Sequence, residues 1–141
     1  MIRPALALSL VVIALSGCGQ NPKAKELRLW SDSYEFHVTL DSMPPRALEQ
    51  VTFRVVVKDK KTGQPIENGE GRIFATSKDG ANTNDGFKKE KELGTYSGRL
   101  FFATTGDWPS AIQFRREKNP NMPLERVDWI QFVRDASEPG T

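Results

Sequence analysis

Few side chains in this 141-residue chain have the type and spacing that chemistry demands. Cys18 is the only cysteine and His37 the only histidine. Met43 and Met122 lie in proline-bearing segments, Ser42-Met43-Pro44-Pro45 and Asn121-Met122-Pro123. His37, Met43 and Met122 together would form a soft imidazole and thioether set suited to Cu(I). The three are dispersed along the chain, however, and His37 alternates with polar neighbours, so a solvent-facing histidine is the simpler reading. Trp30, Trp108 and Trp129 could stack on a sugar ring or anchor a partner if exposed. Trp108 and Trp129 lie in phase with apolar neighbours and are expected in the core. Trp30 is out of phase with Leu27 and Leu29 and is the freer candidate for contact.

Hard-ligand and enzymatic patterns fare less well. Asp79 to Gly86 (DGANTNDG) is rich in side-chain oxygens, and Ca²⁺ takes six to eight of these. Setting Gly86 at the invariant glycine of a calcium loop puts Glu92 at the last ligand position, but Ala81 and Thr83 then fall on the first and third. The segment is therefore expected to be a solvated loop between strands. Ser-His-Asp chemistry would need a serine and a buried acid beside His37. No nucleophile elbow and no glycine-rich phosphate loop occurs. The expectation is a non-enzymatic protein with no resident cofactor.

Cys18 has a more specific context. Met1-Ile2-Arg3 carries one positive charge, Ala5 to Leu15 is an apolar run, and Ser16-Gly17 supply small residues before the cysteine. This is the layout of an export signal. The run is too short to cross a bilayer core, which needs about 20 helical residues. Leu15-Ser16-Gly17-Cys18 resembles the lipobox of bacterial prolipoproteins. The resemblance implies a diacylglyceryl group on the Cys18 sulfur and cleavage before it, leaving residues 1–17 as signal peptide. The partner so implied is a cell membrane or outer membrane, with the domain in the periplasm or outside the cell. Gly19, rather than Asp, after the cysteine favours the outer membrane in a Gram-negative host.

Beyond Cys18 the chain has no thiol, so its fold must rest on its core without disulfides. Loss of Arg3 with the signal leaves 19 basic against 18 acidic residues, interspersed along the chain. Nothing in that balance argues for a nucleic-acid partner. Residues 18–26 (CGQNPKAKE) are polar and aperiodic and read as a short flexible tether. The length that follows suits one domain.

From residue 27 the dominant period is two. Tyr34, Phe36, Val38 and Leu40 share one face against Ser33, Glu35, His37 and Thr39. Val51, Phe53, Val55 and Val57 repeat the pattern, as do Tyr96 to Phe102, Trp108 to Phe114 and Val127 to Val133. Leu27 to Trp30 and Arg72 to Ser77 add two weaker segments. Phe87 to Leu93 (FKKEKEL) is the one stretch with helical character, under two turns long, with a charged loop or edge as the alternative. About seven short strands predict an all-β, antiparallel immunoglobulin-like β-sandwich over 27–134, followed by a frayed tail at 135–141. A closed barrel is the competing architecture.

Val55-Val56-Val57-Lys58-Asp59-Lys60-Lys61-Thr62-Gly63-Gln64-Pro65-Ile66, with Gly94-Thr95-Tyr96-Ser97-Gly98 and Gly106-Asp107-Trp108, resembles the YtkA-like and FixH-like group of envelope proteins. The resemblance covers roughly residues 50 to 116 and implies the sandwich fold. Members of that group are linked with copper handling or cytochrome oxidase assembly, through Met and His residues on the strand after the first turn. Here that strand is Ile73-Phe74-Ala75-Thr76-Ser77-Lys78, which contains neither. The leading expectation is thus a membrane-anchored binding or accessory module acting with an envelope protein partner. Copper binding or delivery and carbohydrate binding stand as alternatives.

Overall fold

Nine strands form in the computed structural model, which describes residues 25–137, and alternating apolar and polar side chains drive the longer ones. They are β1 (Leu27–Trp30), β2 (Tyr34–Leu40), β3 (Gln50–Asp59), β4 (Glu70–Thr76), β5 (Asn82–Gly86), β6 (Lys88–Lys89), β7 (Thr95–Phe101), β8 (Gly106–Arg115) and β9 (Glu125–Val133). One sheet has the order β1-β2-β3-β7-β6 and the other β5-β4-β8-β9, and every strand pairing within them is antiparallel. The sheets pack face to face, so β2, β3, β4, β7, β8 and β9 bury mainly alternate side chains between them, whereas no residue of β1, β5 or β6 is fully buried. The lipobox residues Leu15, Ser16, Gly17 and Cys18, the tether up to residue 24 and the last four residues of the tail lie outside the described residues.

The core is aromatic at its centre. Phe114 of β8 stands edge-on to Tyr34 at 5.2 Å, Phe36 at 6.0 Å and Tyr96 at 5.2 Å, joining β8 of one sheet to β2 and β7 of the other. Trp108 and Phe102 form a second edge-to-face pair at 5.2 Å. Such contacts add to the burial of the rings themselves. The Tyr96 hydroxyl donates to the Ile66 carbonyl at 2.6 Å and accepts the Gly69 N–H at 3.0 Å, so the buried phenol is satisfied in both roles. Gly69 is there because the Phe114 ring leaves no room: a Cβ would stand 2.0 Å from its Cζ.

One sequence expectation is corrected, and at Phe87 to Leu93 the charged-edge alternative is the one found. Asp79 to Gly86 is not wholly a loop, since Asn82–Gly86 forms β5 and pairs with β4 from Arg72↔Gly86 to Thr76↔Asn82. Its polar composition reflects its place at a sheet edge, where it needs no apolar face. Phe87 to Leu93 contains no helix; Lys88–Lys89 pairs with Ser97 and Tyr96 as a two-residue edge strand. The strand total is therefore nine rather than about seven.

Candidate functional site

The sandwich has two ends. Strand β2 begins at one, the Tyr34 end, and finishes at the other, the Leu40 end. The charged residues that the fold brings together lie mainly at the Tyr34 end. Asp59 closes β3 and opens the Thr62-Gly63-Gln64-Pro65 turn, in which Gly63 takes φ 71° and Pro65 folds back to bridge Lys58. The Asp59 carboxylate accepts the Lys61 and Thr62 N–H groups at 2.9 and 3.0 Å and pairs with the Arg116 guanidinium. The Arg116 guanidinium and these amides hold its pKa down to about 2. The Arg116 N–H donates to the Tyr34 hydroxyl at 2.9 Å, which ties the cluster to the aromatic core. Burial raises the Tyr34 pKa above its ordinary value, against that opposing contact.

Glu125, at the start of β9, stands beside this cluster. Its carboxylate accepts the Ser33 N–H at 2.7 Å, stapling β9 to the turn between β1 and β2. Burial acts to raise its pKa, but hydrogen bonds from Ser31 and Ser33 outweigh that and the net shift is downward. Both carboxylates are therefore fixed as anions at neutral pH and are poorly matched to proton transfer. An open hollow of about 440 Å³ lies among Tyr34, Asp59, Arg116, Met122 and Pro123. A neighbouring hollow of about 530 Å³ is lined by Trp30, Asp32, Lys60, Leu124, Glu125 and Arg126.

Trp30 lies on the outer face of β1, opposite Glu35, with 55% of its surface exposed. Leu124 is also exposed, so an aromatic and an aliphatic side chain share one hollow rimmed by charges of both signs. The hollow is polar over most of its lining, and these two side chains are its apolar contribution. Trp108 is buried, and Trp129 is half-buried against the core, its ring 6.4 Å from Phe53.

Comparison with known proteins gives a fold. No protein-family model matches the chain, and no curated protein matches it. Among solved structures, the crystal structure of the Lin-41 filamin domain matches with a TM-score of 0.50 and 16% identity, over 70% of this chain and 91% of that one. The chain is an immunoglobulin-like β-sandwich. At that identity the likeness concerns architecture alone, so the chemistry of the sandwich is read from its own side chains.

The proposed soft-metal set is not assembled. His37 is on the outer face of β2, as its phase predicts, but it is shielded rather than solvent-facing, its side chain only 12% exposed. Its Nδ1 lies 3.0 Å from Glu26 Oε1 and its Nε2 lies 2.6 Å from Glu35 Oε1, so both ring nitrogens face carboxylates. Met122 borders the hollow at the Tyr34 end. Met43 follows β2 at the opposite end, beside Ser42, whose Oγ accepts from Arg134 at 3.4 Å. Sequence distance hid the Asp59–Arg116 pair, whose members are 57 positions apart. The one available signal was an acidic residue at the head of a Thr-Gly turn.

Proposed function

We propose that this protein is a lipid-anchored, non-catalytic β-sandwich module of a bacterial cell envelope that engages a protein partner. The observation that carries the reading is the placing of the only cysteine at the end of Leu15-Ser16-Gly17-Cys18, behind a charged start and an apolar run. The motif pattern of residues 50 to 116 suits the same address, although no family model matches the chain. A non-catalytic role is supported by the state of the polar groups. His37 meets carboxylates at both nitrogens, and Asp59 and Glu125 are held ionised by hydrogen bonds. The exposed Trp30, with Leu124 beside it, offers an apolar contact for the partner.

Labelled palmitate fed to cells expressing the protein tests the anchor. Label should enter the wild-type protein, and Cys18→Ser should abolish incorporation and leave a precursor or a soluble product. Membrane attachment with normal processing in Cys18→Ser would sink the reading. The partner surface is tested by photo-crosslinking from Trp30 in the native envelope, with Trp108 avoided because it is core.

A second reading, carbohydrate binding, is favoured by one observation: Trp30 is exposed beside Asp32, Glu125 and Arg126, groups that can bond sugar hydroxyls. Quenching of tryptophan fluorescence by envelope oligosaccharides, lost in Trp30→Ala, would establish it. No response at millimolar sugar would end it.

A further inference from the structure

The strand register decides which end of the sandwich the anchor holds. β1 pairs with β2 from Leu27↔Val38 to Trp30↔Glu35, so the chain enters the domain near Leu40 and runs toward the Tyr34 end. Nine peptide steps separate Cys18 from Leu27, a reach of at most about 30 Å. The 10-residue strand β3 is itself about 33 Å long. The Leu40 end is therefore held next to the lipid. For the Tyr34 end to meet the bilayer instead, the tether would have to lie fully extended along the whole domain.

That same end carries an unusual residue. Leu48 adopts φ 63°, a left-handed conformation that favours glycine, asparagine and aspartate over a bulky apolar side chain. It is nevertheless 63% exposed. Its backbone is fixed: the Leu48 N–H donates to the Phe102 carbonyl at 2.8 Å, and the preceding Ala47 is buried and donates to the Arg134 carbonyl at 3.0 Å. Arg134 in turn donates its N–H to the Pro45 carbonyl at 2.9 Å. A braced loop thus holds a leucine outward at a position where its backbone is disfavoured and its side chain stays largely exposed. Such an observed outlier points to use elsewhere than in the fold. Met43, in the same loop, is the second apolar side chain exposed there.

We propose that the Leu40 end rests on the bilayer that holds the lipid, with Leu48 and Met43 inserted among the headgroups and the Trp30 hollow turned away from the membrane. The proposal rests on the lipid-anchor reading above. Arg46 and Arg134 are bridged through their backbones in this loop, but their guanidinium groups are turned to the protein, Arg46 beside Glu49 at 3.9 Å and Arg134 on the Ser42 hydroxyl at 3.4 Å. Asp41 and Asp135 at this end are engaged by the N–H groups of Thr52 and Ser137, at 3.2 and 2.8 Å. Contact is therefore driven by the apolar tips and by proximity, and does not require a net positive end.

The test uses the full lipidated protein in vesicles of phosphatidylethanolamine and phosphatidylglycerol containing a quencher lipid. With Cys18 acylated, an introduced cysteine is the sole free thiol, so an environment-sensitive dye can be set at Glu49 or at Asn68, one at each end. Vesicle flotation reads the anchor, and dye quenching reads the orientation. Quenching at Glu49 should exceed that at Asn68 several-fold, and Leu48→Asp should reduce the Glu49 signal at least twofold while flotation is unchanged. Aspartate tolerates the left-handed backbone better than leucine, so this variant keeps the fold. Flotation with equal quenching at both dyes overturns the orientation and leaves the anchor standing. Quenching unaffected by Leu48→Asp overturns the role of Leu48. Failure to float overturns the anchor and this proposal with it.

Discussion

The carboxylate of Asp85 accepts the backbone N–H of Arg99 at 2.8 Å, although the two residues belong to different sheets. Thr83 does the same for Phe101, its Oγ1 accepting that N–H at 3.0 Å. β6 covers β7 only at Tyr96 and Ser97, and beyond them β7 would present free donors along its edge. β5 thus shields with side chains what a neighbouring strand would shield with backbone. Open strand edges invite association, and the device removes one.

Asp85→Ala should accordingly destabilise the domain by about 1 kcal/mol in urea denaturation. Combining it with Thr83→Ala should roughly double the loss and raise the tendency to aggregate, measured by light scattering. Asp85→Asn keeps an acceptor oxygen and should recover most of the stability.

Tyr96→Phe deletes a buried hydroxyl and leaves the Gly69 N–H and the Ile66 carbonyl without it. The cost should be about 1 to 3 kcal/mol, read as a lowered denaturation midpoint with an unchanged slope.

Gly69→Ala places a methyl against the Phe114 ring at the centre of the aromatic cluster. Overpacking of this kind typically costs about 1 to 3 kcal/mol. The double variant Gly69→Ala with Phe114→Leu should lose less than the sum of the two single changes, because the clash goes with the ring.

Asp59 links stability to pH. Its folded pKa, about 2, lies below the ordinary carboxylate value, so the ionised form is the one the fold favours. The stabilisation is present above about pH 4, the unfolded value, and is lost as pH falls toward 2. Thermal unfolding of the wild type should therefore decline more steeply below pH 4 than that of Asp59→Asn. Parallel curves for the two proteins would refute the linkage.

Leu48→Asn should raise stability by about 1 kcal/mol, because asparagine accepts the left-handed backbone at lower cost. A gain in thermal stability with a loss of membrane contact would separate what the residue does for the fold from what it does outside it.

Much of this protein was legible without coordinates. The two-residue period marked β2, β3, β7, β8 and β9, since one buried face per strand writes itself into the order of residues. The same phase put Trp108 in the core and Trp30 outside it. The pattern around Cys18 is linear and lies outside the described residues, so the fold bears on it in neither direction and it stays a proposal. Tertiary structure alone decided the rest. β5 has no apolar signature because its work is done by polar side chains bonded to another sheet. The Asp59–Arg116 pair and the separation of Met43 from Met122 depend on which ends the strands place together, a property of topology rather than spacing. Nor could sequence show the positive φ of Leu48, which is imposed by hydrogen bonds to Phe102 and Arg134 across more than 50 residues of chain.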